Sequence, residues 1–214
     1  MSGEVAEIAL MTDSLRVGEA AETNCSPLAC VIERAKAGDT AAFEQIIEQY
    51  QRRVISTAWR MLGSREDALD AAQEAFLRVY RYLRGFKVEE DFNAWLYRIV
   101  INVCRDFARR NRNARLSSFE SEREAGTLDA IASGDDIEAA VIKSQQQAMI
   151  LKALDTLTKK ERAAIVLRDL EGLTTKEAAR ALGSSQTTIR SQVSSARAKI
   201  KKFYERAMKQ SRRR

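Results

Sequence analysis

Hydroxyl and cationic side chains share one helical face near the C-terminus of this 214-residue chain. The hydroxyl positions are Thr187, Thr188, Ser191, Ser194 and Ser195, and the cations on or beside their face are Arg190, Arg197, Lys201 and Lys202. These groups donate hydrogen bonds and carry positive charge. Short hydroxyl side chains let a helix lie close in a DNA major groove, while flanking cations can reach phosphates or guanine edges. The face therefore favours nucleic-acid recognition.

Two short helices joined by a tight turn are predicted to position this face. Thr174 and Glu177 form a capping box, so we expect the first helix to run from Thr175 to Leu182. Gly183 can take the left-handed conformation that ends a helix, and Ser184 or Ser185 then caps the next one. The apolar positions of that second helix recur at steps of three and four, namely Ile189, Val193, Ala196, Ile200 and Phe203. The pattern predicts a helix-turn-helix; a solvated helix of a small bundle is the alternative.

A second cationic face is predicted on the helix that begins at Asp91. It comprises Arg98, Asn102, Arg105 and Arg109, at spacings of four, three and four, with Trp95 and Ile101 at its borders. The opposite face is apolar and carries Leu96, Val100, Val103 and Phe107. A cationic stripe can follow a phosphate backbone while the amide and an aromatic ring recognise bases. The alternative is a solvated face whose arginines pair with Asp106 and other acids.

A leucine among polar residues stands out on the preceding helix, predicted from Arg65 to about Arg84. The core face of this helix is predicted to be Leu69, Ala72, Phe76, Val79, Tyr80 and Leu83. On the neighbouring arc, Leu77 is surrounded by Asp70, Gln73, Glu74 and Arg81. An apolar anchor inside a polar ring is typical of a protein-binding hot spot, although single surface leucines are also common.

The composition limits the classes of protein to which this chain can belong. The net charge is +6, but residues 141–214 carry 18 basic and six acidic groups, a net charge of +12, which points to nucleic acid. The chain has no histidine, which excludes the common zinc sites and histidine-based catalysis, and it has no glycine-rich phosphate loop. We therefore expect no cofactor, no metal site and no enzyme activity.

Cys25 and Cys30 are expected to be isolated thiols; a redox pair is the alternative.

Helical periodicity, one proline and nine glycines indicate an all-α chain of two small domains. Residues 1–26 form an acidic extension that we expect to be disordered or weakly helical. The domains are predicted at 27–112 and 139–214, joined by an acidic flexible linker at 113–138. No apolar run is long enough to cross a membrane, so we expect a cytoplasmic protein without membrane insertion.

From about residue 31 onward the chain resembles the extracytoplasmic-function group of the sigma-70 family of bacterial transcription initiation factors. Three motifs carry the resemblance. DALDAAQEAFLRVYRYLRGF (67–86) resembles the family's core-polymerase-binding helix, and FNAWLYRIVINVCRDFARR (92–110) resembles the helix that recognises and melts the −10 promoter element. The third motif, at 154–200, resembles the domain that recognises the −35 element.

The resemblance implies a role for each candidate residue. Core RNA polymerase would be bound by Asp70, Gln73, Glu74 and Leu77. The −10 element would be bound by Phe86, Lys87, Trp95, Arg98, Asn102, Arg105 and Arg109. The −35 element would be bound by Thr187, Thr188, Arg190, Ser191, Ser194, Ser195 and Arg197. Gln192 and Ser195 stand where many members carry arginine, and Ser184 where an apolar residue is usual, so the particular −35 sequence is not implied.

The sequence therefore predicts a two-domain helical sigma factor. It would bind core polymerase and promoter DNA, assist strand opening, and be held in check by an anti-sigma factor. One alternative is an autonomous helix-turn-helix regulator that binds duplex DNA without polymerase. A second is an enzyme with a DNA-binding tail, which the missing histidine disfavours.

Overall fold

The computed structural model describes residues 26–87, 90–117 and 137–211. These residues form eight α-helices. They are α1 (Pro27–Lys36), α2 (Thr40–Leu62), α3 (Arg65–Tyr82), α4 (Phe92–Ser117), α5 (Ile137–Asp155), α6 (Lys159–Ile165), α7 (Thr175–Leu182) and α8 (Gln186–Ser211). A 3₁₀ turn, Leu83–Gly85, follows α3, and a π-helical turn, Val166–Leu170, follows α6. The predicted all-α fold is confirmed for this part of the chain.

Capping residues fix the helix ends where the sequence predicted them. Thr158 and Thr174 each form a reciprocal capping box with the glutamate three residues later, which satisfies backbone amides at the starts of α6 and α7. Gly63 and Gly183 end α2 and α7 with φ of 77° and 61°, the left-handed region that glycine adopts without a Cβ clash. The helix-turn-helix is thus formed by α7, a short turn and α8.

Helix α4 extends beyond the predicted end of the N-terminal domain. Helix α4 continues to Ser117, five residues beyond the predicted domain end at 112, and α5 begins at Ile137. Residues 1–25, with Cys25, and the centre of the predicted linker at 118–136 lie outside the described residues. The predicted disorder and flexibility of these segments stay predictions.

Helices α2, α3 and α4 pack together as the core of the N-terminal unit. The predicted apolar face of α4 is confirmed, since Leu96, Val100 and Val103 are buried. The predicted face of α3 is confirmed in part: Ala72, Val79 and Leu83 are buried and Phe76 packs against the core. The prediction was wrong for Leu69 and Tyr80, which are 44% and 55% exposed. The buried residues of α3 are mostly alanines, namely Ala68, Ala71, Ala72 and Ala75, with Val79. Small side chains let neighbouring helices approach closely, so the contact face follows the alanines and not the bulkiest residues.

Helices α6, α7 and α8 form most of the core of the C-terminal unit. Ile189, Val193 and Ala196 of α8 are buried as predicted. The π turn before α7 is closed by the Glu171 amide, which donates to the Val166 carbonyl at 2.9 Å, five residues back. This turn contains one residue more per turn than an α-helix would.

The two units share a packed junction, formed by α2 and α4 on one side and by α6, the π turn and α7 on the other. Tyr97 and Ile101 of α4 are fully buried against apolar residues of the C-terminal unit. Met61, near the end of α2, packs against the cores of both units. The Arg162 side chain of α6 also donates to the Met61 carbonyl at 3.3 Å. Helix α4 therefore has two buried faces, of which the sequence revealed one.

Candidate nucleic-acid and protein interfaces

The turn between α7 and α8 presents the start of α8 to solvent. The Ser185 hydroxyl accepts a hydrogen bond from the Thr188 amide at 3.0 Å, which caps the helix. Six of the seven residues predicted for the −35 element are exposed: Thr187, Thr188, Arg190, Ser191, Ser194 and Arg197. Because the opposite face of α8 is buried, this surface keeps a fixed orientation on the C-terminal unit.

Ser195 is the exception, since it is half-buried; its predicted contact with the −35 element stays a prediction. Its hydroxyl donates to the Glu161 carboxylate of α6 at 2.6 Å, and Lys199 donates to both oxygens of the same carboxylate at 2.7 and 2.8 Å. Ser195 therefore holds α8 against α6. The hydrogen bond from Lys199, followed by those from Ser195 and the Thr158 amide, lowers the pKa of Glu161 from 4.5 to about 2.

The lowered pKa of Glu161 predicts an acid-sensitive C-terminal unit. A carboxyl whose pKa is lower in the folded state stabilises the fold above its unfolded pKa of 4.5, and this contribution is lost as the pH falls toward about 2. The free energy of unfolding should thus fall more steeply on acidification in the parent than in Glu161→Gln. Urea unfolding followed by circular dichroism, between about pH 5 and about pH 3, measures both slopes. Equal slopes would contradict the prediction.

A groove runs beside the exposed face of α8. It is lined by Arg168, Thr175, Ile189, Arg190, Val193, Ser194 and Arg197. The Arg197 guanidinium is held by two hydrogen bonds to the Asp169 carboxylate, both 2.8 Å long. Arg168, from the π turn, was not among the residues that the sequence analysis singled out. Its Nε donates a hydrogen bond to the Thr175 hydroxyl oxygen at 3.4 Å. Arg168 is thus the third arginine that lines the groove, beside Arg190 and Arg197.

The predicted cationic stripe of α4 is an exposed surface. Arg98, Asn102, Arg105 and Arg109 are all exposed. Arg109 pairs with Asp106 at 3.3 Å, as the alternative interpretation expected, but Asp106 also pairs with Arg78 of α3 at 3.2 Å. An exposed ion pair of this kind is weak and does not prevent a side chain from binding phosphate.

The aromatic residues near the stripe divide into core and surface. Phe86 is only 3% exposed, and its ring centroid lies 5.5 Å from that of Phe92 and 4.9 Å from that of Trp95. The ring therefore belongs to the core, and the predicted contact of Phe86 with the −10 element stays a prediction. Trp95 is half-buried and Lys87 is exposed. Val88 and Glu89, which follow Lys87 in the chain, lie outside the described residues.

The exposed arc of α3 is more apolar than the sequence predicted. Leu77 is 47% exposed, beside the exposed side chains of Asp70 and Gln73. Leu69 and Tyr80, which the sequence assigned to the core, share this arc. Glu74 is half-buried, and its carboxylate accepts a hydrogen bond from Arg78 at 2.8 Å. A cluster of exposed apolar residues with a polar rim is typical of a protein-binding surface.

A buried carboxylate at the junction, that of Glu171, was not identified by the sequence analysis. The side chain of Glu171 is 3% exposed. Its oxygens accept hydrogen bonds from Arg60 at 2.8 Å, from the Tyr97 hydroxyl at 2.9 Å and from Arg53 at 3.4 Å. Arg53 also donates to the Glu171 backbone carbonyl at 2.7 Å. These partners come from the N-terminal unit, far away in sequence, and no local pattern connects them.

The described part of the chain offers no arrangement of three or more cysteine or acidic side chains that could hold a metal ion. No helix among these residues combines the length and the apolar character that crossing a membrane requires.

Two stretches of the chain match known protein families. Residues 46–114 match Sigma-70 region 2, and residues 147–200 match Sigma-70, region 4. The first stretch contains the arc of α3 and the stripe of α4, and the second contains the helix-turn-helix. The order of the two regions is the one that the sequence predicted.

Curated relatives cover much of the chain. It is 28% identical over 176 residues to the RNA polymerase sigma-H factor of Pseudomonas aeruginosa, covering 80% of this chain and 91% of the relative. It is 30% identical over 133 residues to the ECF RNA polymerase sigma-E factor of Escherichia coli K12, covering 59% of this chain and 68% of the relative.

Solved structures share the fold. CnrH in complex with the cytosolic domain of CnrY matches with a TM-score of 0.63 and 25% identity, over 83% of this chain and 96% of CnrH. The sigma factor RpoE in complex with the anti-sigma factor NepR, from Bartonella quintana, matches with a TM-score of 0.59 and 21% identity, over 76% of this chain and 96% of RpoE.

Proposed function

Because this chain belongs to the extracytoplasmic-function sigma factors of the sigma-70 family, we propose a division of promoter recognition among its exposed surfaces. The arc of α3 binds core RNA polymerase. The stripe of α4 binds the −10 element and assists strand opening, and the exposed face of α8 binds the −35 element. As a sigma factor the protein is not an enzyme, and it gives RNA polymerase its promoter specificity.

One observation carries this proposal: the cationic stripe and the hydroxyl face lie on different units, and each is backed by a buried face of its own helix. A helix anchored in this way keeps the spacing of its exposed side chains when it binds DNA. The arc of α3 has a different chemistry, since Leu69, Leu77 and Tyr80 are apolar. It therefore suits a protein partner, and the other two surfaces suit nucleic acid.

The proposed strand opening rests on the stripe of α4. Unpaired bases expose their hydrogen-bonding edges and ring faces, which an amide and an aromatic side chain can bind. Asn102 supplies the amide, and the half-buried Trp95 supplies a ring. Arg98, Arg105 and Arg109 supply charge for the backbone. Linking these weak contacts to the −35 contacts through residues 113–138 raises the effective concentration of the second site once the first is bound.

Co-purification with core RNA polymerase, followed by runoff transcription from a promoter selected by the holoenzyme, tests the proposed function. We expect the chain to bind core enzyme and to direct specific initiation. A chain that binds duplex DNA tightly without core enzyme and directs no initiation would instead be an autonomous regulator. The same preparation serves the variants below.

Asn102→Ala should alter the preference at one −10 base and slow strand opening, because the amide is the one uncharged hydrogen-bonding group of the stripe. Permanganate footprinting on promoters altered at single −10 positions measures both effects. Arg105→Ala is the matched control on the same face: it should weaken binding on every promoter alike and reduce the salt dependence. If Asn102→Ala keeps the parental base preference, the amide does not recognise a base.

We also include an anti-sigma factor among the partners, and we place the protein in the cytoplasm, where RNA polymerase works. The solved complex of RpoE with the anti-sigma factor NepR, a protein of similar fold, supports such a partner.

A further inference from the structure

Arg197, on the exposed face of α8, is held from one side by a carboxylate of the π turn. Its Nε and Nη2 atoms donate hydrogen bonds to separate oxygens of Asp169, both 2.8 Å long. A planar guanidinium that is bonded through two adjacent nitrogens has a fixed plane and a fixed direction. The π turn therefore determines where this arginine points, although 28 residues separate the two positions in the sequence.

The Asp169 carboxylate occupies only part of this guanidinium. An arginine has five N–H donors, one on Nε and two on each terminal nitrogen. Asp169 accepts one from Nε and one from Nη2, and Arg197 has no other hydrogen-bond partner among the residues that the structure describes. The donors that remain lie along the outer edge, formed by Nη1 and Nη2. This edge has the geometry that donates to O6 and N7 of a guanine.

The position of Arg197 on α8 gives its outer edge access to a ligand. The side chain is 62% exposed and lines the same groove as Arg190 and Ser194. Arg190 and Arg197 are seven residues apart, which places them on one face of α8 and about 10.5 Å apart along its axis. Successive base pairs are about 3.4 Å apart along the duplex. A helix that follows the major groove would thus bring the two arginines to bases about three pairs apart.

Asp169 is itself anchored to the body of the C-terminal unit. Its side chain is only 22% exposed. The turn that carries it is closed by the hydrogen bond from the Glu171 amide to the Val166 carbonyl. The preceding residue, Arg168, donates to the Thr175 hydroxyl at the start of α7. A carboxylate supported in this way keeps its position when α8 binds DNA, so it can hold the arginine in a constant direction.

A stabilising role alone does not account for this pair. An exposed ion pair between an aspartate and an arginine contributes little to the stability of a fold. A carboxylate at the edge of a surface that binds phosphates also opposes DNA binding, because like charges repel each other. An arginine that is already ordered, in contrast, loses less side-chain entropy when it binds. The pair therefore contributes more to recognition than to stability.

We propose that Asp169 is a positioning residue that sets part of the −35 specificity: it holds Arg197 so that the outer edge of the guanidinium is presented to the major groove and binds a guanine. Asp169 does not contact DNA and acts through Arg197. The inference rests on the proposed function, because it specifies how the exposed face of α8 recognises the −35 element. Loss of the carboxylate should therefore reduce base preference and leave the fold intact.

The test measures base preference in a double-mutant cycle. Holoenzymes that contain the parent, Asp169→Asn, Arg197→Ala or the double variant are titrated with promoters that differ at single −35 positions. Asp169→Asn keeps the size of the side chain but removes its charge and one acceptor oxygen. It should lower the preference for guanine at one position about threefold, because the arginine must now be ordered on binding. Arg197→Ala should lower the preference at the same position about tenfold.

In the double variant the loss should equal that of Arg197→Ala alone, because a positioning residue has no effect once the residue that it positions is absent. Asp155→Asn is the matched control. Asp155 also pairs with an arginine of the C-terminal unit, Arg162, but neither residue lines the groove. This control removes the same charge and should keep the parental base preference. Circular dichroism checks that every variant is folded.

Three results would overturn the inference: a folded Asp169→Asn with the parental preference, an effect of Asp169→Asn that persists when Arg197 is alanine, or an equal effect of Asp155→Asn. The second result would mean that Asp169 acts on DNA by itself, and the third that only the total charge matters. A parent that directs no initiation and shows no −35 preference would overturn the proposed function, so the two failures are distinguishable.

Discussion

Leu77→Asp should lower the affinity for core RNA polymerase about thirtyfold or more, which corresponds to about 2 kcal/mol or more. Leu77 is 47% exposed on the arc of α3, beside Asp70 and Gln73. An apolar side chain in this position excludes water from a protein contact, and a carboxylate would instead have to be desolvated there. The fold should survive, because the side chain lies off the core. A core-binding titration measures the loss, and circular dichroism checks the helices.

Leu170→Asp provides the matched control. Leu170 is 43% exposed, but it lies in the π turn of the C-terminal unit, away from α3. The Leu170→Asp variant should bind core enzyme as tightly as the parent if the arc of α3 is the principal contact. Equal losses in both variants would indicate a general effect of surface charge, and no loss in Leu77→Asp would remove α3 from the proposed interface.

Arg190→Ala should weaken promoter binding by about 1 to 3 kcal/mol and relax the preference at one −35 position. Arg190 is exposed at the start of α8 and lines the groove with Ser194 and Arg168. A guanidinium there can make two hydrogen bonds to the edge of a guanine, a pattern that other bases lack. Binding of the holoenzyme to promoters that differ at single −35 positions measures both the affinity and the preference.

Arg206→Ala is the comparison for Arg190→Ala. Arg206 is exposed on the same helix but lies more than four turns farther from the helix-turn-helix turn. Its loss should change affinity little and leave the base preference unchanged. If Arg190→Ala weakens binding equally on all promoters, then Arg190 contacts phosphate and does not recognise a base.

The sequence predicted the helix ends well because each end depends on one or two neighbouring residues. Thr174 and Glu177 satisfy backbone amides at the start of α7, and Gly183 ends the helix in the left-handed conformation. The structure shows each residue in its predicted role. The hydrogen bond of the Ser195 hydroxyl could not be predicted in this way, because its partner Glu161 lies 34 residues away in the sequence.

Packing faces were harder to predict, because they depend on which helix comes close. On α3, Leu69 and Tyr80 looked like core residues by size, but the alanines allow the close approach of α2 and α4. The junction was beyond sequence reasoning, since Tyr97 and Glu171 acquire their roles only when the two units dock. The family match places the two regions in the chain but does not give this arrangement.

The π turn at Val166–Leu170 sets the direction in which the residue that follows it, Glu171, points. An α-helix advances by about 100° per residue, so one extra residue in a turn rotates the following side chains by that angle. Leu167 remains in the core before the extra residue and Leu173 after it, while Glu171 points across the junction toward α2. The number of residues between the α6 capping box and Glu171 is therefore constrained, because a change of one would turn the carboxylate away from Arg53 and Arg60.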